Sequence, residues 1–197
     1  WSVYTECLHG MPSKCPIRVA VPVNLRPYFN SITTKNFFVM VSAEFHPTKE
    51  TYTFAEVAAI VKESLRSQIN RENLEKLFSY NVSNEKLLIA RVVPLFLKNL
   101  AMKYVYTTSA LANTATITNI GNISVTEEYR PYVEMFHAFL AMSKGQHLKG
   151  TICSYGDTLV FSFSYDLVDA SVQRGFFRKI ASDGIAVEIK SNGVNYE

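Results

Sequence analysis

TATITNIGNIS, residues 114 to 124, is the stretch on which the reading of this chain turns. Threonines alternate with apolar residues until Asn119-Ile120-Gly121-Asn122 breaks the run, which Ile123 and Ser124 then resume. A surface loop has no use for the apolar beats at Ile117, Ile120 and Ile123. A plain strand has no use for an internal glycine, which weakens it and often marks a bulge or the close approach of another group. The stretch reads as a strand interrupted at Gly121, with something expected to come close to its backbone there.

Upstream, IRVAVPV (17–23) is a short buried strand, and NFFVMVSAEFH (36–46) is a second one stopped by Pro47. A capping box from Thr53 to Glu56 opens a helix through FAEVAAIVKESLRSQI. Phe54, Val57, Ala58, Val61, Leu65 and Ile69 recur on it at helical spacing and give it one buried face. A shorter helix over 71–80 and a long apolar one over 85–104, kinked at Pro94, follow. Downstream, YVEMFHAFLA (132–141), HLKGTICSYG (147–156) and DTLVFSFSYD (157–166) alternate like strands, and Gly156-Asp157 turns the last two into a hairpin. VDASVQRGFFRKIASDG (168–184) is a helix with Asp169 at its N-cap and Gly184 at its end, and IAVEIK (185–190) is a closing strand. With no repeat and no linker, residues 1–197 are expected to form one α+β domain, a mixed β-sheet flanked by helices.

Composition removes several function classes. With 48% hydrophobic and 13% aromatic residues the chain is globular, and its 197 residues need no disulfide staples. Net charge is only +3 and the basic residues are scattered, so no nucleic-acid footprint emerges. Cys7, Cys15 and Cys153 form no CxxC and lack a histidine at ligand spacing, which favours reduced thiols and a cytoplasmic location. Asn81-Val82-Ser83 and Asn122-Ile123-Ser124 match the glycosylation pattern, but without a signal peptide they read as chance. No apolar run reaches the length of a membrane span. The chain begins at Trp1, within what reads as a helix end, so a preceding segment is expected.

Local chemistry yields no complete catalytic constellation. There is no GxSxG, GxGxxG or P-loop, and no cysteine has an activating neighbour in sequence. Among the four histidines, His9, His46 and His147 read as surface or satisfied groups. His137 stands out, since it shares an apolar strand face with Val133, Met135 and Phe139, where an imidazole needs a partner.

Three stretches in succession carry a resemblance: IRVAVPVNLRPYF, with Asn-Leu-Arg after a buried strand; TITNIGNIS; and the terminal GDTLVFSFSYDLVDASVQRGFFRKIASDGIAVEI. In order and spacing they resemble the C-terminal half of acyltransferases related to chloramphenicol acetyltransferase, especially the bacterial alcohol acetyltransferase-like branch. Peptide-synthetase condensation domains and plant BAHD acyltransferases are more distant relatives. The resemblance runs from about Ile17 to the end and implies one lobe of a two-lobed enzyme with its site in a tunnel between the lobes. The other lobe would carry HHxxxDG, whose second histidine takes the proton from an alcohol or amine acceptor as it attacks acetyl-CoA, another acyl-CoA or a carrier-bound acyl group. No cofactor would be tightly bound; acyl-CoA would be the co-substrate.

None of the four histidines is followed by Asp at the fourth position, so the base is expected outside this chain, which alone would be inactive and would expose an apolar face prone to self-association. The resemblance gives Thr118 the part of an oxyanion donor, with Thr116, Asn119, Gly121 and His137 along the tunnel. Gly121 would leave room for the incoming thioester. Arg26, with Asn24 beside it at the lobe junction, would grip the Asp of HHxxxDG with its planar fork. A non-catalytic binding module and part of a carrier-dependent condensation domain are the competing readings.

Overall fold

The structure is a computed structural model and describes residues 1–86 and 93–192, with the side chains of 81–86 and of residue 110 excepted. β1 (Ile17–Asn24) and β2 (Phe38–Phe45) pair antiparallel along their whole length, from Ile17 opposite Phe45 to Asn24 opposite Phe38. The two-residue period turns Val19, Val21 and Val23 to the same side as Val39, Val41 and Ala43. Two helices, α1 (Phe54–Gln68) and α2 (Arg71–Lys86), cover that side. The core there is Leu25, Val39, Val41 and Leu74, and Phe45 and Val57 join Tyr4 in a second cluster.

The expected capping box is present: the Thr53 hydroxyl accepts from the Glu56 amide, and the Glu56 carboxylate accepts from the Thr53 amide at 2.7 Å. Val57, Val61 and Leu65 turn inward, whereas Ala58 stays exposed. Polar residues complete the inner face. Gln68 accepts from the Ser42 amide at 3.3 Å and donates to the Ser42 carbonyl at 2.8 Å, and the Ser64 hydroxyl accepts from the Glu44 amide at 3.0 Å. Helix side chains thus complete the outer edge of β2, where another strand could otherwise add.

Pro94 starts a helix instead of kinking one. Its carbonyl accepts from the amides of Leu97 and Lys98, at the head of α3 (Leu95–Leu111). That is where a proline costs least, because the ring meets no preceding turn. The expected helix over 85–104 is replaced by the end of α2 and by α3; residues 87–92 lie outside the described residues. Leu95, Phe96, Leu100, Met102, Tyr104 and Leu111 of α3 are all exposed. No described helix is long and apolar enough to cross a membrane.

β3 (Ala115–Asn122), β4 (Leu148–Tyr155) and β5 (Thr158–Tyr165) complete a mixed five-stranded sheet in the order β2-β1-β3-β4-β5. β3 is parallel to both β1 and β4, and the β4–β5 hairpin turns at Gly156 with φ +56. Phe161 and Phe163 of β5 pack on Phe176 and Phe177 of α4 (Ser171–Ser182), on the same side of the sheet as α1. At the head of α4 the Asp169 carboxylate accepts from the Ser171 amide, one residue before the cap proper. At its end Gly184 (φ +85) and Ile185 donate to the carbonyls of Ala181 and Ile180, a Schellman closure.

Two expected strands are not strands. Residues 132–141 alternate in sequence but lie across the helix-free face of the sheet, with no edge to pair with. Residues 185–190 join neither edge, and Ile185 and Ile189 remain exposed.

Gly121 is explained by backbone shape. Asn119 lies opposite Ile152 and Gly121 opposite Cys153, so Ile120 is an extra residue in a β-bulge. Gly121 takes φ +85, and the Asn119 side chain accepts its amide at 2.9 Å. A Cβ built there meets nothing within 4 Å, so no close neighbour demands the glycine. Gly121→Ala should cost about 1–2 kcal/mol in chemical denaturation, the cost of a left-handed L-residue, and Gly121→Asn clearly less. An alanine variant as stable as the parent would mean that the bulge relaxes to negative φ without cost.

Candidate functional site

β1 and β3 are in register at two positions, Val19 with Ala115 and Ala20 with Thr116. Beyond them β1 continues with β2 and β3 with β4, so the two strands fork. A cleft of about 430 Å³ lies at this fork on the helix-free face. Pro22 and Asn24 of β1 and Thr116, Thr118 and Asn119 of β3 line it, with Phe38 and Met40 of β2 beside them. Arg26 and the 34–37 segment close one end, and Leu140 reaches in from the segment laid over the sheet.

Strand parity sets the directions. Thr116 and Thr118 share the side of Ala20, Pro22 and Asn24, away from the helices, which is the side the tunnel reading requires of Thr118. Neither hydroxyl has a hydrogen-bond partner among the described residues, so both are free to meet a ligand. Next to Thr118 across the β3–β4 ladder stands Thr151, 2% exposed, whose hydroxyl is buried and unpartnered. Such a group carries a desolvation penalty of ~1–3 kcal/mol. Beside it Lys149 is buried, and its ammonium donates to the Ala141 carbonyl at 2.6 Å and to the Ser143 hydroxyl at 2.9 Å. With the Cys153 thiol donating to the Phe136 carbonyl and the Phe136 ring against Tyr155, this pins the covering segment.

Leu25, fully buried, anchors the corner after β1, and this sets Asn24 and Arg26 on either side of it. The Arg26 guanidinium donates to the Thr33 carbonyl at 3.0 Å, the Lys35 carbonyl at 2.8 Å and the Asn24 side chain at 3.3 Å. It therefore clamps the 27–37 loop, and it has no carboxylate partner among the described residues. Arg26 and Lys35 are the charged residues of the lining, which contains no Asp, Glu or His.

The fold thus gathers Asn24, Arg26, Thr116, Thr118 and Asn119 in one cleft. Gly121 sits at the bulge, outside that lining. His137 is exposed, its ring stacked 6.4 Å from Phe139, so water satisfies it and no buried partner is needed. Phe38, Met40, Lys35 and Leu140 were missed as lining residues. One signal for the first two lay in NFFVMV, which is apolar at both strand parities, as in a strand covered on both faces. His147 pairs with Asp166 at 2.9 Å just before β4 and is not part of this lining, and the described residues hold no cluster suited to a metal ion. No family model, no curated protein and no solved structure matches this chain.

Two variants test this arrangement. Arg26→Lys cannot reach three acceptors at once, so amide exchange at Leu25, which donates to the Phe37 carbonyl across the clamped loop, should quicken about tenfold, the worth of one charge-assisted hydrogen bond. Unchanged exchange would make the clamp incidental. Thr151→Val keeps the shape and removes the unpartnered hydroxyl, so the unfolding midpoint should hold or rise. A loss above about 1 kcal/mol would instead reveal a buried water bound to that hydroxyl.

Proposed function

We propose that this chain is the oxyanion-stabilising half of an acyl-CoA-dependent O-acyltransferase, moving an acetyl or longer acyl group to a small alcohol or amine. The observation that carries the reading is the pair of unpartnered hydroxyls, Thr116 and Thr118, aimed into the cleft at the strand fork. The mixed sheet with helices on one side, and Asn24 and Arg26 at one end of the cleft, agree with the resemblance that suggested the class.

In the proposed reaction the acceptor oxygen attacks the thioester carbonyl and loses its proton to a histidine of the HHxxxDG half. Thr118 donates to the oxygen that becomes negative, and collapse of the adduct expels the thiolate, which recovers the proton from that histidine. The cleft of this chain supplies the donor and the wall, and the base comes from the other half. Arg26, held by its loop and without a carboxylate partner among the described residues, would meet the aspartate of that motif. The exposed apolar residues of α3 offer further surface for a second lobe or a second copy.

A second reading has its own observation. The lining contains no group able to act as base at neutral pH, which suits a module that binds and does not transform. The two readings part on one residue. In the enzyme that unites this chain with an HHxxxDG half, Thr118→Val should lower kcat by ~10²–10³ and leave KM for acetyl-CoA nearly unchanged, because the bond forms only in the transition state. Thr118→Ser should restore most of the rate. A valine variant within a few-fold of the parent, or a rate loss matched by a comparable drop in melting temperature, would overturn the assignment.

A further inference from the structure

The charge and shape of the cleft specify a ligand independently of any transfer chemistry. Its lining carries two cations, Arg26 and Lys35, and no carboxylate. Arg26 is held by acceptors that are all uncharged, two carbonyls and an amide oxygen, so its positive charge is fixed in place but not neutralised. The Lys35 ammonium forms no hydrogen bond or ion pair among the described residues. Both sit where the 34–37 segment meets Asn24, at the end of the cleft toward which β1 runs. From there the wall turns apolar: Phe38 lies across from Asn24 and Met40 across from Pro22 in the β1–β2 register, and Leu140 also lines the cleft. Phe38 and Met40 are 47% and 45% exposed, an uncovered apolar strip on the inner wall of the fork.

We infer that this cleft binds an amphiphile with an acidic head, a carboxylate or a phosphate monoester on a hydrocarbon tail. The head lies against Arg26 and Lys35, where the Asn24 amide can add a hydrogen bond. The tail lies along Phe38, Met40, Pro22 and Leu140, removing those side chains from water. The free hydroxyls of Thr116 and Thr118 face the middle of the ligand and do not select its head. Neither a thioester nor a base is required, and the inference is for this chain by itself, since an HHxxxDG aspartate in an assembled acyltransferase would occupy Arg26.

The test is a calorimetric titration of the 197-residue chain with octanoate, octyl phosphate, octanol and butyrate, with amide shifts followed by NMR. Octanoate or octyl phosphate should bind at least about tenfold more tightly than octanol, the margin of one charge-assisted contact. The tighter of the two identifies the head. Butyrate should bind at least about tenfold more weakly than octanoate, given ~0.8 kcal/mol per buried methylene. Shifts should centre on Thr116, Thr118 and Met40. Arg26→Gln removes the loop clamp together with the charge, so the deciding variant is Lys35→Gln, which keeps its backbone carbonyl in the clamp. It should weaken octanoate three- to tenfold and leave octanol unchanged, whereas Met40→Ser should weaken both. Octanol binding as tightly as the acids, butyrate binding as tightly as octanoate, or shifts confined to residues outside the cleft would each overturn the inference.

Discussion

Two residue pairs join the two parts of the sheet, and the rest of the structure depends on that short seam. Val19 with Ala115 and Ala20 with Thr116 tie the β1–β2 pair to the β3–β4–β5 unit. Three further bonds reinforce it at one end. The Thr114 amide donates to the Arg18 carbonyl at 2.8 Å, the Arg18 amide to the Thr114 hydroxyl at 3.2 Å, and the Ser42 hydroxyl to the Asn113 side chain at 3.0 Å. A longer seam would close the fork and remove the cleft. Without a seam, each part would present an open strand edge, the feature that invites aggregation.

The remaining edges are handled by different means on the two sides. At β2, Gln68 of α1 imitates the donor and acceptor of a neighbouring strand, with Ser64 beside it. At β5 no strand is added, although IAVEIK has the composition of one. The two faces also differ. Helices and aromatic rings cover one, while the other is crossed by an irregular segment held by Lys149 and by contacts at Cys153 and Tyr155. A lysine buried beneath that segment is tolerated because a carbonyl and a hydroxyl accept from its ammonium.

The cleft owes its chemistry to what is left unpaired. Threonine hydroxyls at 116 and 118 have no partner among the described residues, and Arg26 is surrounded by neutral acceptors. Thr116, Thr118 and the Arg26 charge, none of them neutralised or bonded by a charged or hydroxyl partner among the described residues, meet on one concave surface. That convergence supports a binding site more directly than any single residue does. The acyltransferase proposal adds a role for one of these hydroxyls, and the amphiphile inference adds a ligand class for the surface as a whole.

By itself, the sequence determined the elements whose signals are local. The capping box at Thr53 and Glu56, the alternation of β1 and β2, the Gly156 hairpin and the glycine closure after α4 all follow from neighbours within a few residues. It also marked Gly121 as special, and the left-handed backbone of a bulge accounts for the glycine. Asn24, Arg26, Thr116, Thr118 and Asn119 were legible as candidates through a resemblance. Their meeting in one cleft was decided by tertiary structure, because it depends on where parallel pairing between residues nearly a hundred positions apart begins and stops. The same long-range pairing kept 132–141 and 185–190 out of the sheet: alternation permits a strand, but only an available edge makes one. His137 shows the limit of pattern most simply. Its neighbours are apolar, yet the segment lies on the outside of the sheet and turns the imidazole to water, an outcome no local rule contains.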